Sequence, residues 1–168
     1  KSITLHLPKY QDMNNITIER VRLTNIDQLQ KIGKQTFLET FASSNTKEDM
    51  AKYLEESFSI DKLTNELNDR TSEFYFAVLG NNVIGYLKLN YGQSQTELKD
   101  KEALEIERIY VLQEFHGKNV GQLLFEKGMQ IAKDINATHV WLGVWEKNPK
   151  AIRFYKKNGF VEFDKHIF

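Results

Sequence analysis

Two β-rich runs, EFYFAVLG (73–80) and VIGYLKLNYG (83–92), flank Asn81-Asn82. Asparagine tolerates the positive φ of a tight turn, so this stretch predicts an antiparallel hairpin. A hairpin needs a sheet around it, because two strands alone cannot bury their apolar side chains. The flanking segments supply one. ITIERVR (16–22) alternates apolar and polar residues and reads as a strand. ALEIERIYVL (103–112) and HVWLGVWEK (139–147) read as two more, and FVEFDKHIF (160–168) as a closing one. Helical spacing fills the gaps. NIDQLQKIGKQTFLETFA (25–42) places Ile26, Leu29, Ile32 and Phe37 near a helical period behind Asn25 as N-cap. Residues 45–69 read as two short amphipathic helices, and NVGQLLFEKGMQIAKDI (119–135) as a longer one. NPKAIRFYKKNGF (148–160) begins with Asn-Pro and ends in Asn-Gly-Phe, a helix start and stop. A hairpin beside strand–helix–strand units predicts an α/β (α+β) fold, a mixed sheet with helices on its faces.

Size and charge narrow the function. A chain of 168 residues fits one domain with a real core. Residues 1–12 have no charged start followed by a long apolar stretch, so they are not read as a signal peptide. They are expected to be an extension outside a single domain spanning 13–168. Twenty-three basic and 23 acidic residues cancel, which gives no pointer to nucleic acid or a membrane surface. No apolar run has the length of a membrane span. The absence of cysteine removes disulfides, thiolate metal sites and cysteine nucleophiles, and it fits a cytoplasmic protein. His116 and His139 lack a second histidine at helical ligand spacing, so no metal site is expected.

The most chemical segment is ERIYVLQEFHGKNVGQLL (107–124), a strand running through a short loop into a helix. Free N–H groups at a helix N-terminus bind anions, glycines allow close approach, and Lys118 adds a charge. Gly117 and Gly121 match neither the dinucleotide fingerprint nor the P-loop. From this turn alone, phosphate binding and a plain strand-to-helix connection stand equal. The residues also leave Tyr155 open, as a packing residue of a short helix or as a proton donor.

Taken together, 103–124 and 141–160 resemble the GNAT superfamily of N-acetyltransferases. Its Q/R-x-x-G-x-G/A motif falls on His116, Gly117, Lys118, Asn119, Val120 and Gly121. The final Gly matches. His116 replaces Gln or Arg, and Asn119 replaces Gly as the residue most at ease with positive φ after glycine. LEIERIYV, WLGVWEKN, AIRFYKKNGF and TFLETF (36–41) are similar to PaiA-type spermidine/spermine N-acetyltransferases, from about Ile16 onward.

The resemblance implies a mostly antiparallel sheet with splayed central strands and acetyl-CoA as co-substrate. It puts the pantetheine arm along Ile109, Tyr110 and Val111. The pyrophosphate then falls on the N–H groups of Gly117, Lys118, Asn119, Val120, Gly121 and Gln122. Asn148 becomes a contact to the cofactor arm, although an N-cap explains it equally well. Tyr155 becomes the acid that protonates the leaving thiolate. Glu107, or Glu105 two residues earlier on the same face if no bulge intervenes, becomes the base. Glu39 becomes a substrate contact. The acceptor implied is a small primary amine, foremost a polyamine. Another amine (a protein N-terminus, a lysine, an antibiotic) and a non-catalytic CoA-binding module are the alternatives. The family carries one more strand than this sequence reaches, and the resulting sheet edges offer a pairing surface for a homodimer.

Overall fold

The structure, a computed structural model, describes residues 15–97 and 99–162. The hairpin forms as β2 (Ser72–Leu79) and β3 (Asn82–Tyr91), paired antiparallel. Its turn lies one residue earlier than Asn81-Asn82. Leu79 pairs with Asn82, and Gly80 takes the positive φ, 62°. Glycine has no Cβ penalty there, so it displaces asparagine from the strained position.

Every residue of β2 is buried, and its side chains alternate between two cores. Tyr75, Ala77 and Leu79 pack with Leu124, Phe125 and Ala132 on one face. Phe74, Phe76 and Val78 pack with Leu29, Ile32, Phe58 and Leu63 on the other. The first group faces α4 (Val120–Asp134), the second α1 (Ile26–Phe41) and α3 (Ile60–Asn68). Period 2 on the strand thus feeds two helical layers. Burial of a side chain such as Leu29, Leu63 or Leu124 contributes about 1.5–3 kcal/mol each. Between α1 and α3 lies α2 (Lys47–Ser57), N-capped by the Thr46 side chain as α3 is by Ser59.

The five-stranded sheet has the order β1-β2-β3-β4-β5, with β1 at Ile16–Arg20, β4 at Ala103–Val111 and β5 at His139–Trp141. All pairs are antiparallel except β4–β5, which is parallel. The expected mixed sheet with helices on both faces is therefore present. Two expected lengths change. β5 stops at Trp141 instead of continuing to residue 147. Phe160–Glu162 carry no strand, and 163–168, like the extension 1–12, lie outside the described residues. The final helix, α5, runs Pro149–Lys157. Phe160 closes onto Phe125 and Tyr155, at ring-centroid distances of 5.8 Å from each. Among the described residues no helix is long and apolar enough to cross a membrane.

Candidate active site

The short β5 creates the site. Its pairing with β4 covers only Ala103–Glu105 against His139–Trp141. Beyond that point β4 pairs with β3 alone. A bulge sits at the same place: Lys88 pairs with Arg108 and Leu89 with Ile106, leaving Glu107 without a partner. A bulge sharpens local twist, and this one falls where the β4–β5 pairing has ended. Trp141 marks the last paired residue, its indole N–H donating to Gln95 Oε1 at 2.7 Å. Ile109, Tyr110 and Val111 therefore have strand neighbours on one side only, and their backbone faces the gap on the other.

At the C-terminal end of β4 the chain turns into α4 through Gly117 (φ 75°) and Asn119 (φ 68°). Asn119 thus adopts the left-handed conformation that its place in the motif requires. It is the N-cap residue, yet its side chain makes no capping bond, so the first N–H groups of α4 are left for a ligand. A Cβ on Gly117 would meet nothing within 4 Å, so the turn is open to an approaching group. Such a cradle fits a pyrophosphate. Lys118 lies over the Phe115 ring at 5.6 Å. Gln122 reaches α5 instead, donating to Asn158 Oδ1 at 3.0 Å. His116 fastens the turn. Its Nε2 donates to Val111 O at 2.8 Å, and its Nδ1 accepts from Lys150 Nζ at 3.0 Å. The two partners fix the tautomer, since a carbonyl needs a donor and an ammonium an acceptor. Replacing Asn119 by Ala is expected to cost about 1 kcal/mol through the left-handed penalty. Asn119→Gly should retain both stability and CoA affinity; urea unfolding and calorimetric titration with CoA distinguish the two.

Asn148 caps α5, its Oδ1 accepting from Ala151 N at 3.2 Å. Tyr155 lies two turns further on. Burial pushes its phenol pKa up, and Tyr110 across the gap adds to the rise. Its ring meets Phe154 at 5.4 Å and Phe160 at 5.8 Å, while its hydroxyl bonds to no described residue. The structure thus shows both the packing ring and a free hydroxyl.

On the α1 side of β4 lies a cavity of about 410 Å³. Its walls are largely aromatic, with Phe37, Phe41, Tyr53, Phe58 and Tyr110. Phe37 and Tyr53 stack at 4.6 Å, and Phe41 reaches Trp145 at 5.8 Å. Gly33 makes room for this wall, since a Cβ there would stand 2.6 Å from the Phe58 ring.

The cavity floor is ionic. Glu107 Oε1 accepts from Lys88 Nζ at 3.0 Å and Asn90 Nδ2 at 3.1 Å, and Arg108 Nε lies 3.3 Å from Oε2. Burial opposes its charge, but Lys88 and Arg108 outweigh that and hold its pKa below the usual glutamate range. A carboxylate with a lowered folded pKa contributes stability that is full above the unfolded pKa. That contribution is lost as pH falls through the folded value. Stability is therefore expected to drop below about pH 4.5. Glu107→Gln should flatten this part of the slope, as read from urea midpoints at pH 7 and pH 4.

Glu105 shares Asn90 with Glu107 but does not line the cavity. It is 2% exposed, with Oε1 taken by Asn90 Nδ2 and Thr96 N and Oε2 by the Thr96 hydroxyl. It anchors the loop before β4. Glu39 is exposed and does not line the cavity; its Oε1 accepts from Gln113 N at 3.2 Å, tying α1 to the loop after β4. Sequence reasoning missed Tyr86, Lys88 and Arg108. The hairpin alternation puts Tyr86 and Lys88 on one face, but nothing local marks that face as a cavity floor. Among the described residues no three His, Asp or Glu side chains gather as a metal site.

A mixed sheet whose β4–β5 pairing stops short, beside an uncapped helix N-terminus and an aromatic cavity, is the architecture of an acetyltransferase fold. The chain belongs to the acetyltransferase (GNAT) family, which it matches over residues 32–160. It is 38% identical, over 93% of this chain and 90% of the relative, to an uncharacterized N-acetyltransferase in the pepI 3' region of Lactobacillus delbrueckii subsp. lactis. It is 25% identical to the spermidine N(1)-acetyltransferase of Thermoplasma acidophilum, over 87% and 88% of the two chains. The crystal structure of PaiA N-acetyltransferase from Thermoplasma acidophilum in complex with coenzyme A has the same fold. The TM-score is 0.80 at 23% identity, covering 90% of this chain and 93% of that one.

Proposed function

We propose that this acetyltransferase moves the acetyl group of acetyl-CoA onto a primary amine by direct attack within a ternary complex. The observation that carries the reading is the one-sided pairing of β4 beyond Glu105. It leaves a backbone edge between a phosphate-sized cradle and an aromatic cavity, so donor and acceptor can meet at Tyr110. Acetyl-CoA supplies an acyl group on a thioester. The N–H groups from Gly117 to Gln122 hold its pyrophosphate. The β4 edge at Ile109–Val111 holds its arm, with Asn148 beside it, and a β4 N–H near Tyr110 stabilises the developing oxyanion.

A free alkylamine has a pKa of roughly 10 and must lose a proton to react. Glu107 is better placed for this than Glu105, whose oxygens are both occupied. Its depressed pKa makes it a weak base, so it acts by drawing in the ammonium and orienting a water that carries the proton away. Tyr155 returns a proton to the departing sulfur. With no cysteine in the chain, a cysteine-linked acetyl-enzyme is not part of the route.

Spermidine and spermine are the first acceptors to examine, because a relative carries a spermidine acetyltransferase name. The test is thiol release from acetyl-CoA with spermidine, spermine, lysine and an aminoglycoside, alongside CoA binding. Release with an amine supports the reading. Clear CoA binding without release on any of them favours a non-catalytic CoA-binding module.

A further inference from the structure

Around the cavity floor, two buried donors, the Tyr86 hydroxyl and Arg108 Nη1, and one acceptor, Glu66 Oε2, lack a well-formed hydrogen bond among the described residues. Tyr86 is 1% exposed; its hydroxyl lies beside Arg108 and makes no well-formed hydrogen bond among the described residues. Arg108 Nη1 is equally buried and equally unpartnered. Both residues line the cavity. The rest of Arg108 is fixed: its Nε lies 3.3 Å from Glu107, and its guanidinium sits 4.9 Å above the Phe58 ring. Burial opposes its charge, yet the Glu107 and Glu66 carboxylates keep it cationic. Buried donors are nearly always satisfied, and a lone one costs free energy. A pair of them in a cavity wall implies that the occupant completes them.

Charged groups surround this pair. Glu107 and Glu66 face Lys88 and Arg108, and Lys88 Nζ lies 3.0 Å from the first carboxylate and 3.3 Å from the second. Glu105 adds a third carboxylate beside them, since Asn90 Nδ2 donates to both Glu105 and Glu107.

We infer that the acceptor carries an oxygen, carboxylate or carbonyl, close to its amine, and that Tyr86 and Arg108 bind that oxygen. The substrate class is then an α-amino acid or an α-amino amide with an apolar or aromatic side chain. The aromatic walls take the side chain. This inference rests on the acetyl-transfer reading and names the acceptor for it.

The experiment compares L-phenylalanine, phenylalanine amide, 2-phenylethylamine and spermidine as acceptors, with the acetylated products measured by mass spectrometry. Wild type and Tyr86→Phe are compared, with thermal shifts for each amine in the presence of CoA. Tyr86→Phe removes an unpaired hydroxyl and keeps the ring, so the fold should survive. One oxygen-bearing acceptor is expected to exceed 2-phenylethylamine in kcat/KM by about tenfold to a hundredfold, the weight of hydrogen bonds to a charged group. That gap should shrink in Tyr86→Phe through a raised KM, with a smaller thermal shift. L-Phenylalanine in the lead identifies a carboxylate, and the amide in the lead a carbonyl. Equal or better turnover of 2-phenylethylamine or spermidine overturns the inference and leaves acetyl transfer standing. No acetylated product from any amine overturns acetyl transfer itself, and the inference with it.

Discussion

Tyr155→Phe is expected to lower kcat by about a hundredfold or more, the usual weight of a positioned general acid. The KM for acetyl-CoA should change little, because the phenyl ring still packs. The expected result rests on two observations that pull apart the two roles of this residue. Its ring fills an aromatic corner with Phe154 and Phe160, which phenylalanine can also do. Its hydroxyl bonds to no described residue, so its removal takes no structural hydrogen bond away. Burial raises the phenol's pKa above its ordinary value of 10.0, so Tyr155 stays protonated at neutral pH. Activity should therefore show no loss attributable to Tyr155 up to pH 10. Steady-state kinetics on the variant decide the matter: full activity would make Tyr155 a packing residue and return the proton to water.

Glu107→Ala is expected to cost about 3 kcal/mol of stability, since it removes one partner from a buried ionic cluster. Lys88 and Arg108 would then share Glu66 alone. Glu107→Gln keeps the shape and an acceptor for Lys88 and Asn90, so its loss should be clearly smaller. Equal urea midpoints for Glu107→Ala and wild type at pH 7 would mean that the cluster contributes little. The same pair separates stability from chemistry. If Glu107 orients the proton-carrying water, Glu107→Gln should be slow even though it folds.

The layers of this fold were legible because they follow from local periodicity. β2 alternates between two cores, and α1 and α4 present the faces their sequences predict. Asn119 was legible too, because few side chains tolerate its backbone conformation. The shortness of β5 was not. HVWLGVWEK has the composition of a longer strand, and its pairing ends just before the bulge at Glu107 on its neighbour. The two glutamates that the sequence left side by side still share Asn90. Glu105 became a buried anchor and Glu107 a cavity residue, a distinction made by Thr96 and Lys88 from distant parts of the chain. Tyr86 and Arg108 escaped notice for a related reason: an unpaired donor is defined by everything around it.

The central claim is direct acetyl transfer to an amine across the β4–β5 gap. The most direct test incubates the protein with isotopically labelled acetyl-CoA and a panel of primary amines, then weighs both amine and protein. Labelled acetyl on the amine, matched by released CoA, with the protein mass unchanged, is the predicted result. CoA bound at the Asn119 turn with no label on any amine, or label trapped on the protein, would contradict it.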